Sequence, residues 1–379
     1  MPGLSLISRW EIWSYPRLLL RLLRDLRGVA RQFETSYLRV LAHVAHFCWR
    51  YDLGPREVVF FGLADPDLPR EASEGSLGKR GKLALQRRLN PRLWECLVED
   101  KAVFHAFCEH NGIAAPRVYG TLRVRPGEEG RARAADDWRA ILERVPEQFV
   151  VKPAQGVYGE GIALYHRNGD AWADEAGRSL DGGDMLTRML ALEKYDCFLA
   201  QERVHNHPDL ARLSGTSALQ TVRLETVIVE EGRVELFAPR LKLIGGDSSV
   251  DNYHGGQTGN LTAVVALDTG VLGPVYGPSG DGTCPLPVPV DRHPRTGHLL
   301  TGFRVPLWEK TKRLLCDVAP LFLPLRTLGW DVGITPGGPV IIEANVQADP
   351  SHNFPVPEAR PGERTLVPTL RRLAAHRPA

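Results

Sequence analysis

From Tyr15 to Arg50, apolar residues recur at Leu19, Leu22, Leu26, Ala30, Phe33, Tyr37, Leu41, Val44 and Cys48. That spacing of three to four predicts one long amphipathic helix, with Arg17, Arg21, Arg24, Arg31 and Arg39 on its other side. Glu57–Gly62 reads as a strand or a helix end, and Ala72–Lys82 as a polar connection. Helical spacing returns over residues 83–110, broken at Pro91, then at about Asp136–Arg144 and again over Leu307–Leu323. From residue 218 the period shortens to two. Strands are predicted at Thr221–Val229 and Val234–Leu243, joined by the turn Glu230-Glu231-Gly232. A further strand, Leu261–Leu267, ends in Asp268-Thr269-Gly270. Gly169–Gly183, Gly245–Asn260 and residues 276–298 read as loops. The sum is an α+β chain whose C-terminal half is largely antiparallel sheet backed by helices.

The segment Asp331–Asn345 adds chemistry to this pattern. It reads as strand, Pro/Gly turn and strand. Glu343 and Asn345 are two apart and so share one face of their strand. A turn centred on Gly337 puts Asp331 opposite Glu343. Two carboxylates and an amide oxygen converging on one point suit Mg²⁺, with Mn²⁺ as the alternative. A plain surface hairpin would explain the alternation, but it leaves the apolar run Val340-Ile341-Ile342 ending in a charge that needs a partner.

A second segment points the same way. Phe149-Val150-Val151-Lys152-Pro153 is β-rich and runs into Gly156, Gly159 and Gly161. Glycines let backbone N–H groups approach phosphate oxygens, and a nearby lysine supplies a point charge. Gly-Lys-Ser/Thr and helix-opening GxGxxG are both missing. Upstream, Glu99-Asp100-Lys101 opens a helix that stops at Gly112 and exits through Pro116.

With these residues in place, the chain resembles the ATP-grasp superfamily. The resemblance rests on four matches in family order over about residues 97–346: Lys101 at a helix start, Lys152 before the glycine loop, Cys197–Val204 as the hinge strand, and the Asp331/Glu343/Asn345 hairpin. Arg88–Pro91, Thr221–Thr226, Asp251–Gly256 and Leu267–Gly270 look like its sugar-transfer-associated, alpha-L-glutamate-ligase-like branch.

The resemblance implies two α+β subdomains clasping ATP, preceded by a helical N-terminal region. The units expected are 1–55, 56–200 (with the glycine loop) and 201–379 (with the metal site). It implies that Lys101 and Lys152 hold the α/β phosphates and that Gly156, Gly159 and Gly161 cover them. Gln201, Glu202 and Val204 would meet adenine, and Asp209 or His207 the ribose, unless these two only build a Pro-containing turn. Asp331, Glu343 and Asn345 would carry the metal. Arg223 would act with Lys152 on the transferred phosphoryl group, with Arg240 and Lys242 as alternatives. The bland reading of Arg223 is an ion pair with Glu225. Asp251–Gly256 with His254, and then Gln347, Asp349 and His352, would face the acceptor. The reaction implied is ADP-forming ligation, in which a carboxylate is activated as an acylphosphate for attack by an amine or hydroxyl. The setting implied is glycan, peptide or secondary-metabolite assembly, and the substrate a small carboxylate or an amino-acid- or sugar-type molecule. The alternatives are a kinase acting on a small molecule or sugar, and a weakly catalytic membrane-surface component of a glycan assembly system.

Composition narrows the partners. The 379 residues carry a net charge of +2, which gives no nucleic-acid signature. Six scattered cysteines without a CxxC pair argue against a zinc or disulfide framework and suit a reducing cytosol. The apolar run near Leu18 is interrupted by Arg21 and Arg24, so it reads neither as a leader nor as a membrane span. The first fifty residues hold eight arginines against three acids. Their helix is expected to pack on the domain in preference to lying on the inner membrane face, although Trp10 and Trp13 keep that reading open. A homodimer interface is a third use of the same stripe.

Overall fold

The computed structural model describes residues 16–68, 76–125, 127–156, 159–247, 250–253, 257–278, 287–348 and 366–375. Trp10, Trp13, His254, Asp349 and His352 therefore lie outside the described residues. Helices run at α1 (Pro16–Gln32), α2 (Tyr37–Arg50), α3 (Pro55–Phe60), α4 (Lys79–Leu89), α5 (Cys96–Glu99), α6 (Lys101–His110), α7 (Glu128–Leu142), α8 (Gly182–Leu190), α9 (Pro208–Ser214), α10 (Trp308–Val318) and α11 (Leu366–Ala375). Strands are β1 (Val118–Arg123), β2 (Gln148–Pro153), β3 (Ala163–Asn168), β4 (Ala171–Asp174), β5 (Ser179–Leu180), β6 (Cys197–Glu202), β7 (Thr221–Ile228), β8 (Val234–Leu243), β9 (Leu261–Val265), β10 (Leu272–Gly277), β11 (Val288–Pro289), β12 (Thr327–Thr335) and β13 (Gly338–Asn345).

The long N-terminal helix expected from the spacing is two helices. The chain breaks at Glu34, whose φ of 47° is left-handed. Ser36 then caps α2 by accepting from the Arg39 N–H at 3.2 Å. The two helices pack on each other and on α3. They bury Leu22, Leu26, Val29, Val40, Val44 and Phe47 with Val264 and Tyr276 of the sheet. Leu41, expected in the buried stripe, is exposed. A second departure lies in residues 169–183, expected as a loop, where the chain forms β4 and β5 and extends a sheet edge.

The strands form a six-stranded sheet, in order β1-β6-β2-β3-β4-β5, and a seven-stranded sheet, in order β11-β10-β9-β8-β7-β12-β13. Named pairs in both are antiparallel. Alternation then assigns the faces. Along β2 and β6, Phe149, Val151, Phe198 and Ala200 pack under α7 and α8 with Trp138 and Met185. Lys152 and Gln201 point the other way. Along β7 and β12, Val222, Leu224, Trp330 and Val332 share a core with Leu315 of α10 and Phe104 of α6.

The opposite face of the large sheet is divided. The α1–α3 group covers Val264 and Tyr276 at one side. At the other, α4 and α11 cover Val227 and Phe237 through Leu89 and Leu370. Between them the face carrying Arg223, Lys242, Asp331 and Glu343 stays open. The border with the α4 side is marked by a fully buried ion pair, Lys82 Nζ to Glu225 Oε1 at 2.6 Å.

Candidate functional site

A cleft of about 710 Å³ lies between the two sheets. Its floor is the open face of the large sheet. Asp331 pairs directly with Glu343 across β12–β13, and Gly329 with Asn345. The expected pairing is present, but by another route. The turn closes Thr335 on Gly338, which by itself would set Asp331 against Ile342. An irregularity after Asp331 shifts the register by one residue and brings Glu343 opposite. Asn345 Nδ2 lies 3.4 Å from Glu343 Oε1, so the three oxygen-bearing side chains are neighbours.

Asp331 is not a bare ligand. Arg223 donates to it twice, from Nε at 2.6 Å and Nη2 at 2.7 Å. Lys242 Nζ stands 3.0 Å away. Arg223 is thus paired with Asp331 across strands and not with Glu225, which Lys82 holds. Burial alone would raise the Asp331 carboxyl, but Arg223 and Lys242 outweigh it and hold it well below the usual carboxylate range. Lys242 also reaches Asp251 at 3.9 Å. Asp251 accepts from the Thr221 N–H at 2.8 Å and hydroxyl at 2.6 Å, and burial raises its pKa against the pull of Lys242. Lys242 lines the cleft; Arg240, buried on the same strand, does not.

The cleft wall comes from the small sheet and the start of α6. Asp100 caps α6 by accepting from the N–H groups of Ala102 and Val103. That places Lys101 at the helix start. Its ammonium donates to the Gly156 carbonyl at 2.7 Å and lies 3.9 Å from Glu343, so it links the glycine loop to β13. Gly159 and Gly161 have φ of 77° and 75°, conformations that favour glycine. A Cβ on Gly161 would come within 2.8 Å of Pro153.

Lys152 is buried, and its Nζ lies 3.4 Å from His105 Nε2. Burial first, then the charge on Lys101, brings the Lys152 ammonium down to about 7, with Glu343 pulling the other way. Burial and the two lysines bring His105 to about 3, so it stays neutral. A neutral ring accepting from Lys152 at Nε2 carries its proton on Nδ1, which has no partner among the described residues. The sequence reading missed His105. The available signal was its place one turn after Lys101, on a helix already expected to face the cleft.

Above Lys152 the cleft is lined by Val150, Ile162 and Leu164 with Gln201 and Val204. Gln201 Oε1 is buried and has no hydrogen-bond partner among the described residues. Glu202 lines the same region, but its carboxylate accepts from the Arg117 N–H at 3.0 Å and its own N–H donates to the Arg117 carbonyl. Asp209 is not brought to the cleft. Pro208 starts α9, and Asp209 pairs on the surface of that helix with Arg212 and with His207 at 3.6 Å. His207 caps α9 by accepting from the Asp209 N–H, so these residues open a helix where a Pro-containing turn is the alternative expected from the sequence.

The donor set fits a hard cation: two carboxylates and one amide oxygen on adjacent strands, with room left for phosphate oxygens. Among the described residues no three His, Cys, Asp or Glu side chains form such a group.

The depressed Lys152 gives a signed expectation. Above pH 7 this lysine is mostly neutral in the free protein, and a polyphosphate beside it favours the ammonium. A polyphosphate taken into the cleft at pH 8 should therefore bring close to one proton with it, and its Kd, read with Mg·ATP as the probe, should rise toward tenfold per pH unit above 7. Calorimetry in two buffers of different ionisation enthalpy measures the uptake. A Lys152→Met protein should show none. Identical heats in both buffers for the wild type would refute the assignment.

The sugar-transfer associated ATP-grasp family model matches residues 81–358. No curated protein matches the chain. Solved structures similar to it include the biotin carboxylase domain dimer of Hydrogenobacter thermophilus 2-oxoglutarate carboxylase in complex with MgADP, ADP and bicarbonate. There the identity is 12%, the coverage 75% of this chain and 46% of that one, and the TM-score 0.43. D-alanine–D-alanine ligase from Helicobacter pylori matches at 12% identity over 74% and 59%, with TM-score 0.40. Phosphoribosylamine–glycine ligase from Thermotoga maritima matches at 13% over 75% and 57%, with TM-score 0.42. The chain spans about half the length of these structures.

Proposed function

Since the chain belongs to the sugar-transfer-associated ATP-grasp family, we propose that it uses Mg·ATP to activate a carboxylate as an acylphosphate, which an amine or hydroxyl then attacks. The observation that carries this reading is one cleft lined by Lys101, Lys152, Asp331, Glu343 and Asn345, with Arg223 and Lys242 beside them. The fold is the α+β ATP-grasp fold preceded by helices. The division into 1–55, 56–200 and 201–379 is proposed with it.

Bound Mg²⁺ would neutralise phosphate charge and orient the γ-phosphoryl group. Asp331, Glu343 and Asn345 would hold it. Lys101 and Lys152 would hold phosphate oxygens, and the Gly156–Gly161 backbone would close over them. Val150, Ile162, Leu164 and Gln201 would take the adenine ring. Arg223, at the floor beside Asp331, would stabilise charge on the transferred group. A substrate carboxylate oxygen forms the new P–O bond as the β–γ bridging bond breaks and ADP leaves. The acceptor's lone pair then attacks the acyl carbon, phosphate departs, and the acceptor gives up its proton. Asp251 and Lys242, at the end of the floor next to Thr221, would meet the acceptor.

The test is Mg²⁺-dependent ATP binding and turnover by wild type and Glu343→Ala, with the nucleotide product identified. Mg·ATP binding by the wild type, ADP formation when carboxylates and amines are supplied together, and a fall of about a thousandfold or more in Glu343→Ala are expected, since a metal contributes several kcal/mol to such a transition state. A wild type that binds no Mg·ATP sinks the proposal. ADP formed with a single hydroxyl substrate and a stable phosphorylated product would replace ligation by phosphoryl transfer.

A further inference from the structure

The N-terminal hairpin uses only one of its apolar faces in the core. α2 buries Val40, Val44 and Phe47. Its opposite face is apolar too: Leu38, Leu41, Ala42, Ala45 and Trp49 recur at helical spacing and are exposed. Leu38 is 73% and Trp49 77% exposed, and Leu20 on α1 is 66% exposed. A helix apolar on both sides is normally covered on both. Among the described residues nothing covers this one.

The exposed side of the hairpin is also basic. Arg24, Arg27 and Arg31 are exposed on α1, and Arg39 and Arg50 on α2. Arg39 pairs with Asp67 at 2.7 Å, and the Arg27 guanidinium sits 5.9 Å from the Tyr37 ring centroid. Residues 16–50 contain seven arginines against Asp25 and Glu34. Exposed leucine and tryptophan together with arginine match the chemistry of a helix lying in the headgroup region of an anionic bilayer. A second copy fits less well, because a two-fold contact sets this basic side against itself with few acids to balance it. Among the described residues no helix is long and apolar enough to cross a membrane.

We propose that the outer face of α2, with the arginines of α1, docks the protein on an anionic lipid surface. The inference does not depend on the ligase reading. Its test is co-sedimentation of the full chain with vesicles of phosphatidylcholine alone and of an equal mixture with phosphatidylglycerol. Binding to the anionic vesicles only, falling with added salt, is expected. Arg24→Gln/Arg27→Gln/Arg31→Gln should lose about a hundredfold in partitioning. Leu38→Ser/Trp49→Ser should lose about tenfold or more. All five positions are exposed, and an unchanged thermal midpoint confirms the fold of each variant. Equal binding to both vesicle types, or none to either, overturns the proposal. So does a dimer in light scattering that Leu38→Ser/Trp49→Ser dissolves, which would assign the face to a second copy.

Discussion

Asp331→Ala is expected to lose Mg·ATP binding and to lower folding stability by about 3–5 kcal/mol in the same step. The metal loss follows from removing one of two carboxylates in the donor set. The stability loss has a different source. Asp331 is buried beneath Arg223 and Lys242, and both cations contact its carboxylate at 3.0 Å or less. Their side chains are only 17% and 16% exposed, so water screens them poorly. Without Asp331 the floor of the cleft holds two facing positive charges, with Asp251, 3.9 Å from Lys242, and Glu343 on the neighbouring strand as the remaining acids. Arg223→Met added to Asp331→Ala should return much of the stability and none of the Mg·ATP binding. Urea unfolding and calorimetric titration of the two variants separate the effects. If Asp331→Ala unfolds at the wild-type urea midpoint, the carboxylate is not neutralising a buried cation pair, and the electrostatic account of the floor fails.

The contacts around Asp331 also mark how far the sequence could be read. The pairing with Glu343 was legible because strand alternation and a Pro/Gly turn are local. The register correction at Ile342 was not, because strand alternation alone does not mark where β13 carries one extra residue against β12. Lys101 and Lys152 could be placed from a cap and a β-rich run. Their closeness to His105 could not, since α6 and β2 meet only through the fold. Arg223 shows the limit most sharply. Its nearest acid in sequence is Glu225, two residues along the same face, yet it pairs with Asp331, 108 residues away. The break at Glu34 had a signal in Thr35-Ser36, but an unbroken apolar spacing on either side masked it. That spacing also hid the outward apolar face of α2, because a periodic pattern identifies a stripe without saying which stripe the core takes.

Lys82→Met is expected to cost about 3–5 kcal/mol, through the charge it leaves behind and not through the contact it removes. Lys82 and Glu225 are 0% and 1% exposed, joined at 2.6 Å across 143 residues of sequence. Glu225 Oε2 already has no hydrogen-bond partner among the described residues. Taking away the ammonium leaves a carboxylate that is 1% exposed between the sheet and α4 without that counter-charge. Glu225→Leu added to Lys82→Met removes that charge and fills the space with carbon. The double variant should recover to within about 1 kcal/mol of the wild type, or exceed it, because a buried pair barely repays its desolvation. The double-mutant cycle by urea denaturation then yields a coupling energy of about 2 kcal/mol or more. Since neither Lys82 nor Glu225 is among the described residues lining the cleft, the double variant should keep Mg·ATP binding while the single one binds only as far as it stays folded. Additive single costs with no recovery would show that the pair contributes through packing, and that α4 is held to the sheet by Leu83, Gln86 and Leu89 alone.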